Sequence, residues 1–383
     1  MRVMLSVPSI DSSYGGPARS VTQLASELAS CGAQVGLATS LPDSSSHSLV
    51  PPTPDVPVIN LRTRPGDILM RRVSRAIDSH AARVGAAQII HDNGIWSLFN
   101  AKVASYALRN GIPLICSPRG MLEPWALAHH GTRKRIAWLT YQRSILKQAS
   151  AFHATSQEEA CAIRALGFAQ PILVAPIGVY APPPRSQARE SLADPRYRVM
   201  LFMSRIHEKK GLMPLLEAWN RVRPRGWQLK IAGYDDGLAP LLMSRMENLR
   251  LGDSVVYLGP VEGQRKEDLL TEAEVFVLPS FSENFGIVVP EALMRGCPVI
   301  ATRGTPWEAV AKVGCGWWVA ATSNELASAI ELATSRTPAE LSGMGAIGRS
   351  WVELEFSWPS IAARTLTFYE WLLGAGARPE GVV

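Results

Sequence analysis

The stretch Val275-Phe276-Val277-Leu278-Pro279-Ser280-Phe281-Ser282-Glu283-Asn284-Phe285-Gly286-Ile287-Val288-Val289-Pro290-Glu291-Ala292-Leu293 reads in turn as strand, loop and helix. The apolar run Val275 to Leu278 has the length and branching of a strand buried on both faces. Pro279 closes it, and the helical pattern beyond the loop stops at Gly296. A strand feeding a helix through a short polar loop is half of a βαβ unit, so a parallel sheet is expected. Glu283 then sits on the loop and Glu291 in the early helix, at the strand end where open parallel sheets bind ligands. The amides of Asn284, Phe285, Gly286 and Ile287 would face a diphosphate, which unpaired donors and the helix dipole favour. The competing account is that both glutamates are ordinary carboxylates at a helix start.

Outward from this stretch, short apolar runs alternate with amphipathic helical patterns through most of the 383 residues. Candidate strands in the first half are Val3 to Val7, Gln34 to Ala38, Gln88 to His91, Pro113 to Cys116, Ala151 to Ala154 and Ile172 to Ala175. In the second half they are Arg198 to Met203, Gln228 to Ala232, Val255 to Leu258, Val275 to Leu278 and Pro298 to Ala301. The proline-rich run from Ala181 to Pro195 suits an extended linker. The expected architecture is α/β, with two Rossmann-like doubly wound domains at 1–180 and 198–355, a linker at 181–197 and a cleft between them. A helix from Trp358 to Leu373 is expected to pack back on the first domain, and Gly374 to Val383 reads as frayed.

Hydrophobic residues make up 47% and charged residues 19%, enough apolar material to bury such sheets. A formal charge of +6 favours anionic partners. Nucleic acid fits poorly, because the basic residues are not interleaved with stacking aromatics along one surface. The five cysteines lack CxxC or finger spacing and read as reduced thiols of a cytoplasmic protein. The run after Met1 ends at Pro8 and reads as a strand rather than a signal peptide, and no stretch approaches the roughly 20 apolar residues of a membrane span. HExxH, GxSxG and P-loop patterns are absent, so neither metal nor cofactor is expected.

A second chemical element follows the strand Arg198 to Met203: Ser204-Arg205-Ile206-His207-Glu208-Lys209-Lys210-Gly211. Arg205 and Lys210 at a strand's carboxyl end would be two fixed cations for a departing diphosphate. The plainer alternative is a solvated Lys-Lys turn.

Ser-Arg-x4-Lys-Gly upstream of Glu-x7-Glu resembles glycosyltransferase family 4 (group 1), and the resemblance extends over most of the chain. It implies the GT-B fold and retaining transfer of a sugar from a nucleotide-diphosphate sugar. By that resemblance Arg205, Lys210 and Glu283 are the catalytic set, the first two on the donor diphosphate and Glu283 on the transferred sugar. Glu291 would hold the ribose, Val261 would lie near the base, and Gly16, in Ser13-Tyr14-Gly15-Gly16-Pro17, would approach the donor phosphate.

His91-Asp92-Asn93-Gly94-Ile95-Trp96 and Ser117-Pro118-Arg119-Gly120-Met121-Leu122-Glu123 are similar to segments of a polysaccharide and O-antigen branch of that family. They imply acceptor or sugar contacts at His91, Arg119 and Glu123. Many members carry histidine where this chain has Arg119; the arginine would grip an anionic group, or would be a buried structural residue paired with Glu123.

The basic, aromatic-rich segment Arg133 to Lys147 would either lie at an anionic membrane surface or pack its apolar face on the first sheet. The expected function is retaining transfer to a glycan, lipid-linked or small-molecule acceptor in bacterial glycoconjugate synthesis. A nucleotide-sugar epimerase and a non-catalytic nucleotide-sugar-binding protein are the alternatives.

Overall fold

Strands of pure β-branched and aliphatic residues need cover on both faces, and this chain supplies it twice. The computed structural model describes residues 1–41, 48–61, 71–128, 131–182 and 196–383. The chain forms two units, one of Met1–Gly178 with Trp358–Val383, the other of Val179–Ser357. Most of the 181–197 linker falls on 183–195, outside the described residues.

The first unit holds β1 (Arg2–Ser6), β2 (Gln34–Thr39), β3 (Val58–Asn60), β4 (Ile89–Asn93), β5 (Leu114–Ser117), β6 (Ala151–Ala154) and β7 (Ile172–Val174). They pair in parallel in the order β3-β2-β1-β4-β5-β6-β7. Successive side chains of a strand point to opposite faces. Val3, Leu5, Ile89 and Ile115 therefore pack with Val21, Leu24 and Leu28 of the helix Gly16–Ser30, whereas Met4, Ile90 and Leu114 pack with Phe99 and Val103 of the helix Leu98–Arg109.

The helix Trp358–Leu372 covers the first of these faces with Ile361, Phe368 and Tyr369. Gly178 makes this possible, because a Cβ there would lie 2.3 Å from the Trp358 ring. Burying a large apolar side chain of this kind is worth roughly 1.5–3 kcal/mol. The tail differs from the frayed end expected: Val383 exchanges backbone hydrogen bonds of 3.0 and 2.9 Å with Ile172, and Gly381 accepts one from Val174. An unpaired edge strand presents a row of free donors and acceptors, and the tail covers that of β7.

The second unit holds β8 (Arg198–Met203), β9 (Trp227–Ala232), β10 (Val255–Tyr257), β11 (Val275–Leu278), β12 (Val299–Thr302) and β13 (Gly316–Val319), ordered β10-β9-β8-β11-β12-β13 and parallel throughout. Its entry and exit lie side by side, with Val179 donating to the Phe356 carbonyl at 2.8 Å. In each sheet the chain order reverses beside the first strand, at β1/β4 and at β8/β11. That reversal is the switch point at which doubly wound sheets hold ligands.

Candidate active site

In the second unit, β9, β8 and β11 are neighbours, so the loops leaving their carboxyl ends emerge together. After β8 the chain makes a 3-10 turn, Glu208–Lys210, capped by His207, whose Nδ1 accepts from the Lys209 amide at 3.0 Å. Gly211 closes the turn at φ 67°, and a Cβ there would stand 2.0 Å from the Pro279 carbonyl oxygen. Only glycine lets this turn lie against the end of β11. Phe281 also donates its amide to the Lys209 carbonyl at 2.8 Å, so backbone contacts fix Lys210 beside the loop after β11.

The Lys210 ammonium donates to Oε1 of Glu283, with 10% and 12% of the two side chains exposed. The Ser280 hydroxyl donates to the same oxygen at 2.8 Å, and Thr302 donates to the Ser280 carbonyl at 2.5 Å. The Glu283 amide is held by the Gly304 carbonyl at 2.8 Å. Phe285 is buried against Trp307, whose indole N–H donates to the Phe285 carbonyl at 2.5 Å. No described residue accepts from the amides of Phe285, Gly286 or Ile287, which are only partly covered beyond Phe285. Asn284, by contrast, has a partner of its own. The helix itself begins at Val288, one residue past Ile287.

Glu291 lies in the first turn of that helix. Its Oε1 accepts from Lys266 at 2.6 Å, while Oε2 is buried with no partner among the described residues. A buried carboxylate oxygen without a donor is costly. Arg295 steadies the same turn, donating to the Glu291 carbonyl at 2.6 Å and pairing with Glu267. Lys266 and Glu267 come from the helix Gly263–Glu272, just beyond Val261, which is partly covered on the loop after β10.

Arg205 stands apart from the Lys210 cluster. Its side chain is 69% exposed and among the described residues meets only Asp236, at 3.2 Å. Such a surface pair contributes little, so the guanidinium remains available to an anion.

The first unit revises several expectations. His91 is fully buried, so it does not present itself to an acceptor. The Ala175 carbonyl can only accept, so His153 Nε2 carries a proton at 2.8 Å, and its Nδ1 must accept from His91 Nε2 at 3.3 Å. His91 Nδ1 then accepts from the Tyr369 hydroxyl at 2.6 Å. Burial, the other histidine and Arg119 hold His91 well below its ordinary pKa; burial first and Arg119 second push His153 down to about 3.

Arg119 occupies the left-handed region at φ 55° and donates to Asn93 Oδ1 at 3.2 and 2.7 Å. The expected alternative pairing with Glu123 is not formed; Glu123 is partly covered and has its own partner. Burial lowers the Arg119 pKa to about 10, with Glu159 and Tyr369 opposing, so it stays cationic at neutral pH. Gly16 opens the helix Gly16–Ser30 exposed, with nothing within 4 Å of an added Cβ, so packing among the described residues does not require glycine there.

Two family descriptions match this chain: Glycosyl transferase 4-like domain over residues 15–178, and Glycosyl transferases group 1 over residues 197–335. The chain belongs to the group 1 glycosyltransferases. It is 28% identical to a D-inositol 3-phosphate glycosyltransferase of Rhodococcus erythropolis over 75% of this chain and 71% of that protein. With the protein of the same description from Gordonia bronchialis it shares 26%, over 93% and 83%. Among solved structures, sucrose-phosphate synthase of Thermosynechococcus elongatus superposes with a TM-score of 0.78 at 24% identity, covering 98% of this chain and 100% of that one. HepE of Anabaena, solved with UDP and glucose, gives 0.73 at 20%, covering 96% and 99%. The fold of this glycosyltransferase is GT-B.

Several members of the site had no signal in the linear chain of this glycosyltransferase. Ser280 lay inside the quoted stretch but reads as an ordinary loop serine. Lys266 is 25 residues from Glu291, and Trp307 is 22 from Phe285; neither spacing belongs to a local pattern. In the first unit, Asp92, inside the quoted His91 to Trp96 segment, is buried at the end of β4, accepts from Ser6 at 2.5 Å and Asn100 at 2.7 Å, and burial raises its pKa to about 7 against those hydrogen bonds.

Proposed function

We propose that this glycosyltransferase takes a sugar from a nucleotide-diphosphate sugar and passes it to an acceptor hydroxyl with retention of anomeric configuration. The observation that carries the reading is the cluster of Lys210, Glu283 and Ser280 beside the unpaired amides of Phe285 to Ile287. Cations and free amides suit a diphosphate. The bond from the anomeric carbon to the diphosphate oxygen breaks as Lys210 and Arg205 neutralise the charge that develops there. An acceptor hydroxyl attacks from the same face, and its proton passes to the released diphosphate oxygen. Fixed side-chain cations serve in this scheme, and it calls for neither metal nor other cofactor.

Glu283 orients the sugar. A diphosphate that draws Lys210 to itself releases a Glu283 oxygen for a sugar hydroxyl. The unpaired Oε2 of Glu291 takes a ribose hydroxyl, and Val261 borders the base. On the acceptor side, the cationic Arg119 suits an anionic group, in keeping with the phosphorylated substrate named for the inositol relatives. Acceptors built into a bacterial polysaccharide or glycoconjugate fit the branch that the first-unit motifs resemble.

A thermal-shift panel of nucleotide sugars, followed by turnover with candidate acceptors in chelator and product NMR, tests this. Acceptor-dependent release of nucleoside diphosphate with unchanged anomeric configuration is the expected result. Conversion of donor without acceptor would instead make the chain an epimerase, and binding without turnover a sensor.

A further inference from the structure

Among the described large apolar residues, Leu98, Ile136 and Leu139 are exposed at 68%, 65% and 75%. Only Leu354, at 70%, is comparable; every other such residue is at 56% or below. Two of the three lie on one helical run, Gly131–Gln148, which passes through a π-helical turn at Trp138–Gln142. The inward side of this run is well used: Gln142, Ile145 and Leu146 are buried, and Trp138 and Tyr141 pack on the core. Hence Ile136 and Leu139 are not spare core residues.

Leu98 belongs to the same corner. It follows Trp96 by two residues, and Trp96 is tied to this run by its amide on Gln142 at 3.0 Å and its carbonyl under Tyr141 at 2.7 Å. Around the apolar residues stand Arg133, Arg135, Arg143 and Lys147, all exposed and without an ion-pair partner among the described residues. Residues 131–148 contain no aspartate or glutamate. Lys134 is engaged, donating to the Ala126 carbonyl and standing 6.0 Å from the Trp96 ring.

An outward apolar ridge between unpaired cations, with no acid to balance them, matches the two components of an anionic lipid surface: acyl chains under the headgroups and negative charge at their level. We infer that this ridge is a peripheral membrane contact selective for anionic lipid, with Ile136, Leu139 and Leu98 entering the interface and Arg133, Arg135, Arg143 and Lys147 meeting the phosphates. No helix of the described residues is long and apolar enough to cross a membrane. The inference stands independently of the transferase reading, since none of these residues serves the donor site.

Co-sedimentation of the full chain with vesicles of phosphatidylcholine alone, or mixed with phosphatidylglycerol, tests it. Binding to the anionic vesicles only, weakening as salt rises, is expected. The I136S/L139S and R135E/R143E variants should each bind about ten-fold or more weakly. Their melting temperatures and nucleotide-sugar thermal shifts should match the parent. Equal binding to both vesicle types, no binding by the parent, or undiminished binding by I136S/L139S would overturn the assignment. So would a parent dimer that dissociates in I136S/L139S without vesicle binding, since a second copy would then be the occupant. Loss of turnover with intact vesicle binding would count against the transferase reading alone.

Discussion

Lys210 and Glu283, 73 residues apart, form a hydrogen-bonded ion pair at the ends of adjacent strands, each nearly closed off from solvent. Paired in this way, each holds the other in place. Lys210→Ala and Glu283→Gln should each lower turnover by about 10²–10³, because the proposed roles place both where charge or orientation matters in the transition state. Steady-state assays of each variant check this, and near-normal turnover in both would remove them from the chemistry. Breaking a largely buried pair also leaves one charge alone, so Lys210→Ala should lose about 3 kcal/mol of stability.

Glu291 offers one oxygen held by Lys266 and one without a partner. Glu291→Gln should weaken binding of the free nucleoside diphosphate by about ten-fold, the worth of one good hydrogen bond to a charged group. Lys266→Ala should act in the same direction and less strongly, with turnover at saturating donor preserved. Calorimetric titration measures both; an affinity unchanged in Glu291→Gln rules out the ribose role.

Asp92 makes stability depend on pH in a definite direction. Its folded pKa of about 7 lies above the ordinary 3.8, so the folded chain keeps a proton that the unfolded chain gives up between those values. Stability is therefore lost as pH rises from about 4 to 7, by at most on the order of 4 kcal/mol, and the loss levels off above that. His153, held near 3, acts oppositely, costing stability as pH falls below 6.5. The difference between parent and Asp92→Asn melting curves isolates the carboxyl: the variant should gain on the parent from pH 4 to 7. A constant difference across that range would show that Asp92 titrates normally.

Tyr369 joins the last helix to β4 through His91. Tyr369→Phe removes the donor to a buried ring nitrogen and should cost about 1–3 kcal/mol. Gly178→Ala, which drives a methyl group into the Trp358 ring, should cost at least as much. Denaturant unfolding reads both. Stability equal to the parent in both would mean that the helix Trp358–Leu372 contributes little to the first unit.

Both chemical loops of the second unit were legible in the chain, because each is local: a buried strand, a polar turn and a helix start within a few residues. Most strands were likewise readable as short apolar runs between helical patterns. β3, with only three residues, and β13, opening on Gly316 and two tryptophans, were not among those expected. His91 illustrates the opposite limit. Its neighbourhood in sequence resembles an acceptor loop, yet Tyr369 and His153, 278 and 62 residues away, enclose it.

By itself, the order of residues determined that the protein is built of parallel βαβ units and that Arg205, Lys210, Glu283 and Glu291 leave strand ends, since period and punctuation are properties of neighbours along the chain. Tertiary structure alone decided that Lys210 meets Glu283, that Lys266 takes one oxygen of Glu291 and leaves the other, that Arg119 turns to Asn93, and that Ile136 and Leu139 face outward. Such pairings depend on which elements the sheets bring side by side, and burial and charge are set by that company.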